Sequence, residues 1–304
     1  MRGRIVLMVS APLGTLLTAM VTPFAADGSV NLEAARRLAR HLVDTGSDGI
    51  VIAGTTGEGP TVTDREKLEL IEAVVAEVGG RATVIANTGS YDTHHSVALT
   101  RSALATGVDG FLVVTPYYSK PPRAGIVAHF RAIADAADGR PVIVYNIPQR
   151  VVLNLEPDVL AELATIPNVM AVKQATADLD QARRIVDETG LVLYAGNDDL
   201  VLPFLELGGA GGICVASHIA GRQIRSMIDL AHQGDMAGAR TVDESLRGLY
   251  AGLAVTTNPI PVKAALNLLG HDVGGLRLPL VEADAGETQA VAAALEASGI
   301  LARA

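Results

Sequence analysis

Runs of apolar residues recur along the chain at regular intervals, and segments with helical spacing separate them. The runs are rich in Val, Ile, Leu and Thr, and they are nearly continuous rather than alternating with polar residues. Continuous runs are typical of parallel strands that are covered on both faces. The pattern predicts eight strands, over residues 15–22, 48–54, 82–87, 110–116, 141–147, 169–174, 191–196 and 211–216.

The segments between the runs carry start and stop signals of helices. Apolar residues recur at helical spacing between Asn31, a predicted N-cap, and Gly46, a predicted stop. In the next such segment, Thr63 and Glu66 have the spacing of a capping box, and Gly79 is expected to end the helix.

The alternation of strands and helices predicts an α/β fold. Eight βα units in about 220 residues fit a (β/α)8 TIM barrel. A doubly wound sheet is the alternative, but no G-x-G-x-x-G follows the first strand. We therefore predict a barrel with a short N-terminal extension over residues 1–234 and an added C-terminal helical segment over 235–304.

Composition narrows the classes of protein. The chain has 304 residues and a formal net charge of −9, and an acidic chain without a basic patch argues against a nucleic-acid partner. Cys214 is the only cysteine, so we expect no disulfide framework and a cytoplasmic location. No apolar run is long enough for a membrane span. Residues 1–12 weakly resemble a signal peptide, but their short apolar patch fits an N-terminal extension better.

Polar motifs follow several of the predicted strands. They are GTTGEG at 54–59, TPYY at 115–118, YNIPQR at 145–150, and GNDD at 196–199. Lys173 lies near the end of the sixth run, and it is the only one of four lysines inside a predicted strand. Chemistry in TIM barrels takes place at the carboxyl ends of the strands, so all of these groups are expected at one mouth.

A buried ammonium is expensive, and this cost raises the question of what Lys173 does. Burial favours the neutral amine, which can attack a ketone and form an imine. The protonated imine withdraws electrons, so the adjacent carbon can lose a proton and act as a nucleophile. Tyr145, one strand away, is a candidate proton shuttle. The turn after Thr55 can hold the carboxylate of a small 2-oxo acid, and Arg150 can bind a second carboxylate.

Each of these signals also has an ordinary structural explanation. Lys173 could pair with a carboxylate or extend to solvent, the glycines of GTTGEG could serve a turn, and the tyrosines of TPYY could pack in a core or interface. The histidines are scattered without ligand spacing, so no metal site is predicted. Asn197 and Asp198 are interpreted as a turn and a helix cap.

Six motifs together give the chain a family resemblance. They are GTTGE (54–58), VTPYYSKP (114–121), YNIPQR (145–150), VKQAT (172–176), LGGAGGICV (207–215) and NPIPVK (258–263). From about residue 13 onward the chain resembles the dihydrodipicolinate synthase / N-acetylneuraminate lyase family of class I, Schiff-base aldolases. Thr55 followed by Thr56, together with NPIPVK, favours the dihydrodipicolinate synthase branch.

The resemblance implies a TIM barrel and catalytic roles for four residues. Lys173 forms the imine, Tyr145 relays protons and is hydrogen-bonded to Thr55, and Tyr118 completes this triad from a neighbouring subunit. A triad shared between subunits implies an oligomer, by family habit a homotetramer built as a dimer of dimers. No cofactor is expected besides the covalent lysine–pyruvate imine.

The resemblance also implies a set of substrate-binding residues. Thr55 and Thr56 hold the pyruvate carboxylate, and Arg150 meets the carboxylate of L-aspartate-4-semialdehyde. Ile213 contributes a backbone carbonyl near the site, and Gly196 is included among the binding residues. The implied reaction condenses the two substrates to 4-hydroxy-tetrahydrodipicolinate, in lysine and diaminopimelate biosynthesis.

Three departures from the family pattern keep alternatives open. Gln174 stands where Glu is usual, Val151 and Val152 replace Thr-Gly, and Gly59 and Pro60 replace a small polar pair. The first two are expected near the semialdehyde side of the pocket. One alternative is a sibling aldolase acting on a 2-keto-3-deoxy sugar acid or a related substrate. The other is a non-catalytic protein that binds a 2-oxo acid, although binding alone does not need a proton relay.

We predict that lysine inhibits this protein weakly or not at all. Family members that lysine inhibits use a His or Glu set in the helix after GTTGE and in the loop after the third strand. The corresponding stretches here contain Asp64, Lys67, Tyr91 and His95, and Lys67 would repel the ammonium of lysine. Initial rates measured over a lysine titration test this, and strong inhibition below 1 mM would contradict it (about 1 mM separates the two regimes).

Overall fold

A computed structural model describes residues 11–301, and eight parallel strands form a closed barrel there. The strands are β1 (Leu16–Ala19), β2 (Gly49–Ile52), β3 (Thr83–Asn87), β4 (Gly110–Val114), β5 (Val142–Asn146), β6 (Val169–Gln174), β7 (Val192–Ala195) and β8 (Gly211–Cys214). Each strand pairs with the next along the chain, and β8 pairs with β1. The predicted barrel is confirmed. Most of the N-terminal extension expected over residues 1–12 lies outside the described residues.

Helices surround the barrel and extend beyond it. They are α1 (Leu32–Asp44), α2 (Asp64–Val78), α3 (Thr93–Leu104), α4 (Arg123–Ala136), α5 (Pro148–Val151), α6 (Pro157–Leu163), α7 (Leu179–Glu188), α8 (Val201–Leu207), α9 (Ser217–His232), α10 (Met236–Gly252), α11 (Ile260–Leu268) and α12 (Ala285–Ala297). The predicted caps are confirmed: Asn31 accepts the Ala34 N–H, and Thr63 and Glu66 form a capping box.

Side chains alternate between the barrel lumen and the layer under the helices. Each strand contributes at least one apolar or aromatic residue to the lumen cluster: Leu17 and Ala19, Val51, Ile85, Leu112, Ile143 and Tyr145, Ala171, Tyr194, and Ile213. Their neighbours in sequence pack against the helices in a second cluster. Both faces of every strand are therefore buried, which explains why the strands appear as continuous apolar runs.

The C-terminal helices share the outer core of the barrel. Leu246 of α10, Leu266 of α11 and Leu295 of α12 belong to the same apolar cluster as the outer faces of the strands. The boundary predicted between residues 234 and 235 falls in the turn between α9 and α10, and it stays a prediction. Within residues 11–301, no helix is long and apolar enough to cross a membrane.

Two buried histidines are held neutral. His218 Nε2 accepts the Val21 N–H at 3.1 Å, and its Nδ1 donates to the Val215 carbonyl at 2.8 Å. Burial lowers the pKa of His218 to about 4 and that of His129 to about 4. Protonation of His218 would destroy the bond from Val21, so the folded state opposes it.

This burial predicts a loss of stability in mild acid. The histidine pKa is about 6.5 in the unfolded chain, so stability is complete above that value and falls as the pH drops toward 4. Between pH 7 and 5 the free energy of unfolding should fall by about 2 kcal/mol per buried histidine. Urea unfolding at the two pH values measures this. His218→Asn should reduce the pH dependence, whereas the exposed His94→Asn should not; equal dependence in all three proteins would contradict the account.

Candidate active site

Lys173 lies inside the barrel lumen with almost no access to solvent. Its side chain is 4% exposed, and its Nζ lies 4.4 Å from the centroid of the Tyr145 ring. Among the described residues, none forms an ion pair or hydrogen bond with this Nζ. The two ordinary explanations, a carboxylate partner or a head group in solvent, are therefore not what the structure shows. The negative face of the Tyr145 ring lies against Nζ, and the charge of Lys173 also acts on the buried carboxyl group of Asp198.

Strand register places Tyr145 beside Lys173. The two residues are direct partners in the β5–β6 pairing, so their side chains point to the same side of the sheet. Tyr145 is 5% exposed. Its carbonyl accepts two hydrogen bonds from Thr115, from the N–H at 3.0 Å and from Oγ1 at 2.9 Å, which fix the end of the strand. The predicted proton shuttle and the predicted nucleophile are thus brought together.

The hydrogen bond expected between Tyr145 and Thr55 is not formed. Thr55 lies in the loop after β2 and lines the same cavity as Tyr145, but no hydrogen bond joins the two side chains. This corrects the expectation from the family resemblance. The triad of Tyr145, Thr55 and Tyr118 is not closed within one described chain.

The loop after β2 has a tightly constrained backbone. Ala53 and Glu58 both have positive φ, at 55° and 53°, a conformation uncommon outside glycine. A Cβ on Gly59 would lie 2.2 Å from the Ala53 carbonyl oxygen, so the loop needs glycine there. Thr56 is buried, and its Oγ1 accepts a hydrogen bond from Asn258 Nδ2 at 3.0 Å. Because Oγ1 is the acceptor, its own O–H remains available to donate to a ligand.

A buried ion pair attaches this loop to the C-terminal segment. Lys263 of α11 is 1% exposed, and its Nζ donates to Glu58 Oε1 at 2.7 Å and to the Gly275 carbonyl at 2.6 Å. Glu58 Oε2 accepts the Arg277 N–H at 3.0 Å. Burial lowers the pKa of Lys263, and the Glu58 carboxylate opposes that shift. Sequence reasoning missed this role, although a lysine within the apolar helix of NPIPVK is itself a signal.

A cavity of about 810 Å³ opens at the carboxyl ends of the strands. Of the predicted site residues, Thr55, Tyr145 and Arg150 line it. Tyr117 and Asn258 add further wall surface. Lys173, Thr56, Ile213 and Gly196 are not part of the wall; Lys173 reaches the cavity through its contact with the Tyr145 ring.

Arg150 lies at the exposed end of the cavity. It is part of α5, and its Nη2 donates to the Asn258 carbonyl at 3.4 Å. This long bond is the only hydrogen bond of the Arg150 side chain to a described residue, so the rest of the guanidinium fork is free to bind a carboxylate. Arg150, which is predicted to bind a carboxylate, therefore lies at the entrance of the cavity.

Ile213 and Gly196 lie deeper in the structure. Ile213 is fully buried in the lumen cluster. The Gly196 N–H donates to the Gln174 carbonyl at 2.8 Å, and a Cβ at Gly196 would lie 2.7 Å from the Ala175 Cβ. Glycine is needed there for packing, and its assignment as a binding residue stays a prediction.

Tyr118 points away from the cavity of its own chain. Its side chain is 90% exposed, and its φ is 68°. The neighbouring Tyr117 instead lines the cavity and makes an edge-to-face contact with Tyr91, with ring centroids 5.2 Å apart. The exposure of such a large side chain on a strained backbone points to a contact with another chain.

The departures from the family pattern are not all near substrate. Val151 lines the cavity, and so do Gly59 and Pro60, but Val152 is 65% exposed and outside the wall. Gln174 was expected near the semialdehyde side of the pocket, and this expectation is wrong. Since Lys173 faces the lumen, its neighbour Gln174 faces the opposite side, where it is fully buried among other polar side chains.

Asp198 was interpreted as part of a turn and cap, and its carboxylate also joins strand ends. It accepts the N–H groups of Val215 and Ala216 at 2.9 and 3.0 Å, next to the end of β8. Burial raises the pKa of Asp198, and the charge of Lys173 opposes that rise.

The residues considered for lysine inhibition share one wall of the cavity. Asp64, Lys67, Tyr91 and His95 all line it. Asp64 interacts with both basic neighbours, at 2.7 Å from His95 Nε2 and 3.7 Å from Lys67 Nζ. Weak inhibition by lysine stays a prediction. No group of three or more His, Cys, Asp or Glu within residues 11–301 could hold a metal ion.

The family is established by comparison with known proteins. The model of the Dihydrodipicolinate synthetase family matches residues 12–298. This chain belongs to that family.

Individual relatives extend over nearly the whole chain. The 4-hydroxy-tetrahydrodipicolinate synthase of Mycolicibacterium paratuberculosis is 50% identical over 291 residues, which cover 96% of this chain and 97% of the relative. The dihydrodipicolinate synthase of Cyanidioschyzon merolae, solved with lysine bound, has a TM-score of 0.93 at 43% identity and covers 95% and 99% of the two chains. The chloride-inhibited enzyme of Acinetobacter baumannii, solved with pyruvate, has a TM-score of 0.92 at 33% identity and covers 95% and 100%.

Breaking the Glu58–Lys263 pair should destabilise the protein strongly. Lys263→Met leaves a buried carboxylate without its partner, so the free energy of unfolding should fall by about 3–5 kcal/mol. The double variant Glu58→Gln/Lys263→Met should recover part of this loss. Arg184→Met, which removes the exposed pair with Glu188, should cost less than about 1 kcal/mol. Urea unfolding measures all three, and similar losses for Lys263→Met and Arg184→Met would contradict the buried-pair account.

Proposed function

We propose that the chain is a 4-hydroxy-tetrahydrodipicolinate synthase that condenses pyruvate with L-aspartate-4-semialdehyde through an imine on Lys173. The observation that carries the proposal is the Lys173 amine, which has no ion pair or hydrogen bond to a described residue and is buried in the lumen against Tyr145, a residue that lines a large cavity. The names of relatives about 50% identical over almost the full chain support the same activity.

The chemistry follows from a buried amine next to a phenol. The lone pair of Lys173 Nζ attacks C2 of pyruvate, and loss of water leaves an imine. Loss of a C3 proton gives an enamine, whose carbon attacks the aldehyde of the second substrate. The amine of that substrate then displaces Lys173 from C2, which closes the ring and frees the enzyme. Tyr145 is the group placed to move these protons, since its ring contacts Nζ.

Three residues are assigned to the two substrate carboxylates. Thr55 on the cavity wall, and the O–H that Thr56 has free, bind the carboxylate of pyruvate near Lys173. Arg150 at the cavity entrance binds the carboxylate of the semialdehyde. This arrangement puts the small 2-oxo acid inside and the larger aldehyde outside, which is the order in which they react.

Tyr118 supports an oligomer in which subunits share an active site. Its exposed ring serves a neighbouring copy in our proposal, and the assembly is a homotetramer built as a dimer of dimers. The Thr55–Tyr145 hydrogen bond that is missing in one chain would then form when the partner's tyrosine completes the triad. The enzyme is cytoplasmic in this proposal, and its only cofactor is the covalent imine.

Replacing Lys173 tests the proposed function. Lys173→Ala should lower turnover by at least about a thousandfold, because it removes the group that bonds to substrate. Met170→Ala, exposed at the start of the same strand, should keep its activity. Wild-type rates with the semialdehyde and with sugar aldehydes decide between the proposed reaction and a sibling aldolase. A folded Lys173→Ala protein with most of its activity, or a preference for sugar aldehydes, would refute the proposal.

A further inference from the structure

A buried cluster of amide side chains lies directly behind the reacting pair. We call Asn146, Asn154, Gln174 and Gln181 the amide layer. Asn146 follows Tyr145 on β5, and Gln174 follows Lys173 on β6, so both point away from the lumen toward the helices. Asn146, Gln174 and Gln181 are all at most 5% exposed. The chemistry on one face of these strands thus has a polar layer on the other.

Hydrogen bonds connect the whole layer. Gln174 Oε1 accepts from Asn146 Nδ2 at 2.9 Å, and Gln174 Nε2 donates to Gln181 Oε1 at 2.8 Å and to Thr176 Oγ1 at 3.0 Å. Asn154 Oδ1 accepts from Asn146 Nδ2 at 2.8 Å and from Gln181 Nε2 at 3.3 Å. Both Oε1 and Nε2 of the Gln174 amide form hydrogen bonds. The layer therefore joins β5, β6 and α7 without a net charge.

The layer also fixes the segment that carries Arg150. The Leu155 N–H donates to Asn146 Oδ1 at 3.1 Å, and the Leu155 carbonyl accepts from Gln181 Nε2 at 3.0 Å. Asn146 is thus bonded to the start of the segment 147–155 through the chain and to its end through Leu155. Between these points lie Arg150 and Val151, which line the cavity.

We propose that Gln174 is a positioning residue that acts on Arg150 through the amide layer, and so on the carboxylate of the aldehyde substrate. The inference rests on the proposed function, which assigns that carboxylate to Arg150. Gln174 touches neither substrate. It holds Asn146 and Gln181, which hold Leu155 and thereby the position of Arg150 at the cavity entrance.

The neutral amide of Gln174 fits the hydrogen-bond partners that this chain places around it. Gln174 Nε2 donates to Thr176 Oγ1 and to Gln181 Oε1. The Gln181 amide oxygen can only accept, so a carboxylate at position 174 needs a proton to keep that bond. The charged groups around the layer give it no counter-charge. Glu156 accepts from Asn154 Nδ2, Asp178 caps α7 at the Gln181 N–H, and Lys173 lies on the lumen side. The amide therefore keeps the Arg150 segment in place at every pH.

The experiment separates the two substrates kinetically. The variants are Gln174→Leu, Gln174→Glu and, from the α7 side, Gln181→Leu, with the exposed Gln223→Leu as the matched control. For each variant, the KM for pyruvate, the KM for the semialdehyde and kcat are measured from pH 6 to pH 9 (a range of about three units around neutrality). Trapping of the pyruvate imine with borohydride is measured in parallel.

The expected result is a selective loss at the aldehyde. Gln174→Leu and Gln181→Leu should raise the KM for the semialdehyde by about tenfold or more, because small misplacements of a binding group are costly. The KM for pyruvate should stay within about twofold, and imine trapping should be complete. Gln174→Glu should resemble the wild type at low pH and Gln174→Leu at high pH. Gln223→Leu should match the wild type.

Several results would overturn the inference. An unchanged semialdehyde KM in folded Gln174→Leu and Gln181→Leu would show that the layer is only structural, and so would an equal rise for both substrates. If Gln174→Leu does not fold, Gln181→Leu and Gln174→Glu decide the question in the same way. If borohydride traps no pyruvate imine in the wild type, the proposed function itself is refuted. A normal semialdehyde KM in Arg150→Ala would break the link through Arg150.

Discussion

A buried lysine that forms no ion pair or hydrogen bond with any residue in the range 11–301 is the constraint on which the rest of the site depends. A surrounding apolar surface excludes water from such a group. The closed barrel provides this surface with at least one apolar or aromatic lumen residue from every strand. The Tyr145 ring lies against Nζ, with its centroid 4.4 Å away. The same contact places a phenol beside the atom that would react.

The loops around the lumen are fixed by polar groups that are themselves fully partnered. Glu58 and Lys263 form a buried pair that joins the loop after β2 to α11. The amide layer around Gln174 joins the ends of β5 and β6 to the segment of Arg150. The first of these contacts is an ion pair, and the second is a set of hydrogen bonds between neutral amides. Both attach a loop, a kind of element that is commonly mobile, to a helix or strand. The amine of Lys173, in contrast, has no hydrogen bond to a described residue.

Local patterns in the sequence predicted the architecture well. Continuous apolar runs identified all eight strands, because strands buried on both faces have no polar side. Lys173 stood out for the same reason, as a charge within such a run. The helix signals at Asn31 and Thr63 were also confirmed, since a cap is decided by residues three positions apart.

Contacts between distant residues could not be predicted in the same way. Glu58 and Lys263 are 205 residues apart, and no local pattern shows that the two meet. The position of Gln174 was misjudged because closeness to Lys173 in sequence suggested closeness to substrate, whereas strand alternation puts the two on opposite faces. Tyr118 shows a different limit, because one chain cannot show what an exposed side chain contacts in an assembly.

The most direct test of the central claim is a trapping experiment. The protein is incubated with pyruvate, reduced with borohydride and analysed by intact mass and peptide mapping. The account predicts one reduced pyruvate per chain, attached to Lys173, and no adduct in Lys173→Ala. An unmodified protein that still binds pyruvate would contradict the account and favour a non-catalytic binder, and an adduct on another lysine would move the active site away from the barrel lumen.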